Sequence, residues 1–185
     1  MRMPCSLPRL RRLLADEAGG PAVEWALTLP LLGAILLGGV EVGRLIILDQ
    51  KMDRVAGTIA DLVAQAETLT AVEVDNLLGA AAHIATPFDL GGSGAVIVSS
   101  VTAGATGGAK VNWQRKVGGL AQASGVGVPG TAAALPIALA ANETVIVAES
   151  YYDFRPAFYA AVVPARTMRH LALFRPRLGS LQRLD

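Results

Sequence analysis

The chain has 185 residues, 52% of them hydrophobic, with 16 basic and 15 acidic side chains and a formal charge of +1. That length holds one domain of ordinary size plus a membrane helix, and so even a balance excludes a global field that would draw the chain to nucleic acid. The single cysteine, Cys5, excludes a disulfide within one chain.

Residues 1–19 carry Arg2, Arg9, Arg11 and Arg12 against Asp16 and Glu17. A basic flank before an apolar run keeps the N-terminus in the cytoplasm and puts the residues beyond the run outside. Cys5 lacks the Leu-x-Gly/Ala-Cys spacing of a lipoprotein signal. The run itself has no charge from Trp25 to Val40, too long and too apolar for an ordinary surface helix. Residues 20–48 therefore read as a transmembrane helix. A cleaved secretory signal fits less well. Asp16 and Glu17 break the basic leader, the Gly19-Gly20 step precedes the apolar run, and an amphipathic pattern continues beyond it.

One acid, Glu24, lies at the start of this run. An ionised side chain inside hydrocarbon costs roughly 2.5–3.5 kcal/mol and is usually functional. Alternatively Glu24 sits at the headgroup level in the first helical turn, where the helix dipole returns about 0.3–1 kcal/mol. Farther along, Gly39-x-x-x-Gly43 places small residues one turn apart, which lets two apolar helices approach closely. Pro30 removes a backbone donor and predicts a kink near Ala26.

Beyond Val40 the pattern passes into Met52, Val55, Ile59, Leu62 and Val63 at steps of three and four, with Asp49, Asp53, Arg54 and Asp61 between them. One helix of about 40 residues is the economical reading, its first half in lipid and its second half laid on a domain. Thr70-Ala71-Val72-Glu73 is a capping box that opens a second helix, running to about Ile84 before Pro87 stops it. His83 reads as a helix-end histidine facing water or a carbonyl.

From Gly91 onward glycine punctuation and alternation take over. Residues 95–101 read as a strand, 104–108 as a turn and 110–116 as the partner strand. Residues 118–130 read as a loop, 131–140 as a short helix, 144–152 as the strongest strand and 168–174 as a closing strand. Six arginines, at 155, 166, 169, 175, 177 and 183, make the C-terminal region basic. The region from Asp61 to Asp153 holds eight acids against three bases, so the two attract one another within or between subunits, each exposed pair contributing about 0–1 kcal/mol. Together these elements predict an α+β fold in which a long transmembrane and amphipathic helix packs on a small antiparallel sheet. The extracytoplasmic domain takes residues 49–185.

Few motifs carry chemistry. Gly125-Val126-Gly127-Val128-Pro129-Gly130 fits the dinucleotide-binding pattern by letter, but no buried strand feeds its first glycine. Gly91-Gly92-Ser93-Gly94-Ala95 lacks the final glycine of a nucleophile elbow and precedes a strand instead of following one. His83 and His170 pair with no metal-ligand spacing. The expectation is a protein without catalysis, without cofactor and without metal.

The residues around the apolar run resemble the TadE-like minor pilins, or pseudopilins, of the tight-adherence (Tad/Flp) branch of type IV pili. The likeness runs through Arg11-Arg12, Gly19-Gly20, Ala22-Val23-Glu24-Trp25-Ala26-Leu27, Pro30 and Glu41-Val42-Gly43-Arg44. It continues in Val111-Asn112-Trp113, Glu149-Ser150-Tyr151-Tyr152-Asp153 and Phe174-Arg175-Pro176-Arg177. Pro21 and Trp25 depart from the family's usual residues. The resemblance implies a pilin-like fold and cleavage by a membrane prepilin peptidase after a glycine, with a glutamate as fifth mature residue. Counting back from Glu24 puts the cut after Gly19, with a cut after Gly20 as the alternative. The new α-amine at Gly20 would be neutralised by Glu24 of a neighbouring subunit, with Trp25 beside it, which lowers the cost of burying both charges. Implied partners are the peptidase, other pilin and minor pilin subunits, the inner-membrane assembly platform and membrane lipid. Two other readings remain open: a singly anchored envelope protein with an external binding domain, and an anchored enzyme.

Overall fold

The structure, a computed structural model, describes residues 19–105, 108–158, 160 and 163–185. Apart from Gly19, the expected cytoplasmic leader lies outside the described residues, as does Cys5. Helix α1 runs from Gly20 to Ala64, 45 residues in all, or about 67 Å at 1.5 Å per residue. Gly19 is its N-cap and provides no side-chain hydrogen bond, while Pro21 in the first turn loses a donor that has no helical partner there anyway. Pro30 lies inside α1 and does not end it.

Helix α2 spans Ala71–Ala85 and opens with the expected capping box. The Glu73 N–H donates to Thr70 Oγ1 at 3.2 Å, and the Thr70 N–H donates to Glu73 Oε2 at 2.8 Å. The helix ends just before Thr86-Pro87, where the ring of Pro87 disfavours a helical residue ahead of it. A further turn, α3 at Leu90–Ser93, is capped by Asp89, whose Oδ1 accepts the Gly92 N–H at 3.0 Å. The glycine-rich sequence there suggests only a lead-in to the first strand.

Four strands complete the fold: β1 Gly94–Ala103, β2 Ala109–Val117, β3 Thr144–Phe154 and β4 Arg166–Phe174. They form one antiparallel sheet in the order β2-β1-β3-β4, with Val98 opposite both Arg115 and Ala148, and Ala148 opposite Ala172. The arrangement is α+β, with the long apolar helix packed on a small antiparallel sheet. Alternation along the strands builds two cores, because successive side chains point to opposite faces. Val96 and Val98 of β1 and Ile146, Ala148, Tyr152 and Phe154 of β3 meet Leu48, Met52, Val55, Ile59 and Val63 of α1 and Val74 and Leu78 of α2. Ser150, on that same face, donates its hydroxyl to the Met52 carbonyl at 2.7 Å and is thereby satisfied in a dry site. The opposite face carries Val101, Val111, Val145 and Val147, covered by Val126, Ala133, Leu135 and Leu139 from the long β2–β3 connection.

That connection corrects the expected helix at 131–140. Ala132 bridges Lys110, the Ala133 N–H donates to the Ala109 carbonyl at 2.7 Å and the Ala134 N–H donates to the Val126 carbonyl at 2.8 Å. Ala132 and Ala133 thus extend the sheet along β2 and Ala134 is tied to the loop, so these groups close no helical turn. Pro136 also pushes Leu135 toward extended backbone and offers no N–H. The C-terminal tail then returns to α1. The Arg177 N–H reaches the Ala64 carbonyl at 2.9 Å, and Trp113 Nε1 donates to the Leu181 carbonyl at 2.8 Å. Gly179 sits so close to the Glu67 carbonyl that a Cβ there would overlap it.

Candidate functional site

Among the described residues, most of the first half of α1 projects from the sheet and α2 without packing against either. Trp25, Leu27, Leu32, Leu36 and Val40 are exposed large apolar side chains, and Glu24 is exposed in the second turn. Among the described residues Glu24 has no ion-pair partner, and its carbonyl accepts the Thr28 hydroxyl at 2.9 Å. Such a bond from a helical threonine satisfies the hydroxyl without leaving the helix. A Cβ at Gly39 or at Gly43 would meet nothing within 4 Å. The two glycines therefore open onto free space in the single subunit, and Gly19 and Gly20 at the helix start do the same. Among the described residues, the fold packs no other element on Gly19, Gly20, Glu24, Trp25, Gly39 or Gly43.

The covered part of α1 begins at Gly38, and its first charged side chain, Glu41, is wholly buried. One carboxylate oxygen accepts Arg44 Nη1 at 2.8 Å, and the other accepts the N–H groups of Ala157 and Phe158, both at 3.0 Å. Sequence reasoning gives Glu41 and Arg44 no task of their own. Their signal is an acid and a base at i, i+3 inside an apolar helix, a spacing at which side chains are neighbours.

Glu149 on β3 forms a second buried polar centre. It accepts Arg169 Nε at 3.0 Å, Arg169 Nη2 at 2.8 Å, the Tyr151 hydroxyl at 2.7 Å, the Gly125 N–H at 3.0 Å and the Ser124 hydroxyl. Four of these bonds end on Oε1 and the Ser124 hydroxyl alone on Oε2, so the carboxylate ties the 118–130 loop to the sheet and to Arg169. Burial raises the Tyr151 hydroxyl above its ordinary pKa, and the Glu149 hydrogen bond adds to that. Burial alone would lower the Arg169 guanidinium, but its hydrogen bonds to Glu149 carry it above the usual range.

His83 is exposed near the end of α2, as expected. His170 on β4 lies against α1, its Nε2 3.1 Å from Asp49 Oδ1 and its Nδ1 3.9 Å from Asp53 Oδ1, neither aligned as a hydrogen bond. Among the described residues no group of three or more His, Cys, Asp or Glu side chains is arranged to hold a metal ion. The charge asymmetry read in the sequence is met in part within the subunit, where Arg177 pairs with Asp61, Arg175 with Glu143, Arg169 with Glu149 and Arg155 with Asp153.

The TadE-like protein family matches residues 19–61, which begins at the α1 cap and ends three residues short of Ala64. No curated protein and no solved structure matches the chain. The match falls on the helix whose uncovered apolar half is compatible with a single-pass membrane anchor. It points to association with the Tad pilus machinery. The chain thus carries a TadE-like domain over residues 19–61, as expected of a TadE-like protein of the Tad pilus system.

Proposed function

We propose that this protein is a minor pilin, or pseudopilin, that takes part in assembly of a tight-adherence pilus and performs no catalysis. The observation that carries this reading is the coincidence of the TadE-like match with one helix divided in two: a bare apolar half and a half fixed to a sheet domain. In the membrane the bare half anchors the subunit, N-terminus inside and sheet domain outside. Prepilin peptidase cuts after Gly19. The new amine of Gly20 then pairs with Glu24 of a neighbouring subunit, so that two charges entering a dry environment compensate one another. Gly39 and Gly43 provide the close approach between helices. The partners are other pilin and minor pilin subunits and the inner-membrane assembly platform, within membrane lipid.

Deleting the gene and imaging pili tests this reading, with a tagged copy sought in sheared filaments. Loss of pili supports it, and unchanged pili would favour an anchored envelope protein that never enters assembly. In the same cells Glu24→Ala is expected to leave cleavage intact and to reduce piliation severalfold, because the amine loses its partner. Wild-type pilus numbers in that variant would contradict the pairing.

A further inference from the structure

We propose that the segment Pro156–Phe158, strapped to α1 by Glu41, seats in the outer edge of the membrane's hydrocarbon layer, just beneath the headgroups, with Phe158 against lipid. The proposal rests on the reading of α1 as a membrane anchor.

The height of the segment along α1 comes first. Both N–H groups after Pro156 end on the Glu41 carboxylate, and side chains of a helix tilt toward its N-terminus. The strap therefore lies at or below the level of residue 41. On the uncovered side of α1 the apolar surface continues higher, with Ile46 50% and Ile47 51% exposed, and turns polar at Asp49 and Gln50. Ile47 is about 9 Å above Glu41 at 1.5 Å per residue. A membrane that covers Ile47 on one side of the helix reaches past the strap on the other.

Span length favours that position. From Trp25 to Ile47 the helix rises about 33 Å, and from Trp25 to Glu41 only about 24 Å, against a hydrocarbon core of about 30 Å. The chemistry of the strap also suits a lipid boundary, where an unpaired backbone donor is costly. Pro156 has no N–H, and the next two donors are taken by Glu41. Glu41 is itself fully covered and paired with Arg44, so no bare carboxylate faces the acyl chains. What remains outward is Ala157 and the Phe158 ring, 57% exposed. Arg44, part-exposed and paired with Glu41, and Arg155, exposed and paired with Asp153, carry stems long enough to lift their cations toward the lipid phosphates.

The test uses the full chain with Cys5→Ser, reconstituted in vesicles of phosphatidylcholine and phosphatidylglycerol. An environment-sensitive fluorophore is placed on single cysteines at Ala157→Cys, at Leu32→Cys within the span and at Val128→Cys on the distal loop. Quenching is read with aqueous iodide and with lipid brominated near the glycerol end of its chains. The expected result is iodide quenching at 157 at least threefold weaker than at 128, together with clear quenching by the brominated lipid. Phe158→Asp, and separately Glu41→Ala, should bring position 157 toward the value at 128. If 157 is as open to iodide as 128 while 32 is shielded, the seat is wrong and the anchor survives. If 32 is open as well, both fail. Shielding at 157 that grows with protein-to-lipid ratio and shows no lipid quenching would put a second copy there and overturn the lipid contact.

Discussion

The two halves of α1 share one backbone and opposite surroundings. From Leu48 to Ala64 its inward side chains are dry, packed on both β3 and β4 and on α2. From Gly20 to Val40 nearly all of them are bare. Packing fixes the second half in the isolated subunit, whereas the first half needs a membrane or other subunits to cover it, since apolar area left in water is unfavourable by about 25 cal/mol per Å². The contrast explains how one element can join a folded domain to an environment that the domain itself does not provide.

The sharpest way to break this contrast is to truncate side chains in each half and compare the losses. Ile59→Ala deletes a fully buried side chain at the junction of helix and sheet, and denaturant unfolding of the detergent-solubilised protein should register a loss of about 2–5 kcal/mol. Thr70→Ala removes the hydroxyl that caps α2 and should cost about 1 kcal/mol in the same assay.

Acid should loosen the domain half by a smaller step. Arg115 donates its Nε–H to Asp75 at 2.8 Å, and this hydrogen bond holds the Asp75 carboxyl below its ordinary pKa despite the opposing effect of desolvation. A carboxyl depressed in the folded state stabilises it above the unfolded pKa, and that contribution is lost as pH falls through the folded value. Melting temperature should therefore decline more steeply at low pH in wild type than in Arg115→Leu. Equal slopes would remove the pair from the account. At the small end, Leu36→Ala on the bare half, where Leu36 is 68% exposed, should change unfolding in detergent by less than about 0.5 kcal/mol.

Much of the fold was legible because its signals are local. The apolar run and the three-and-four spacing of Met52, Val55 and Ile59 mark α1, Thr70 and Glu73 mark the start of α2, and alternation marks the strands. The segment 131–140 was not legible, since its backbone donors are claimed by Ala109 and Val126, partners that the local alanine-rich sequence does not reveal. Glu41 and Glu149 were hidden for a similar reason. The N–H groups that bury Glu41 come from residues 157 and 158, and Arg169 reaches Glu149 across paired strands. Of the candidate site, Glu24 could be read as a lone acid in an apolar run, whereas the cut at Gly19-Gly20 and the pairing of Glu24 with a new amine are what the resemblance implies. The proposed partner of Glu24 is an amine on another subunit, so among the described residues Glu24 is exposed and Gly19 and Gly20 open onto free space.

The most direct test of the central claim is N-terminal sequencing of the protein extracted from membranes of cells that hold the prepilin peptidase. The account predicts a mature chain beginning at Gly20, with Glu24 as its fifth residue. A chain that still begins at residue 1 would contradict it.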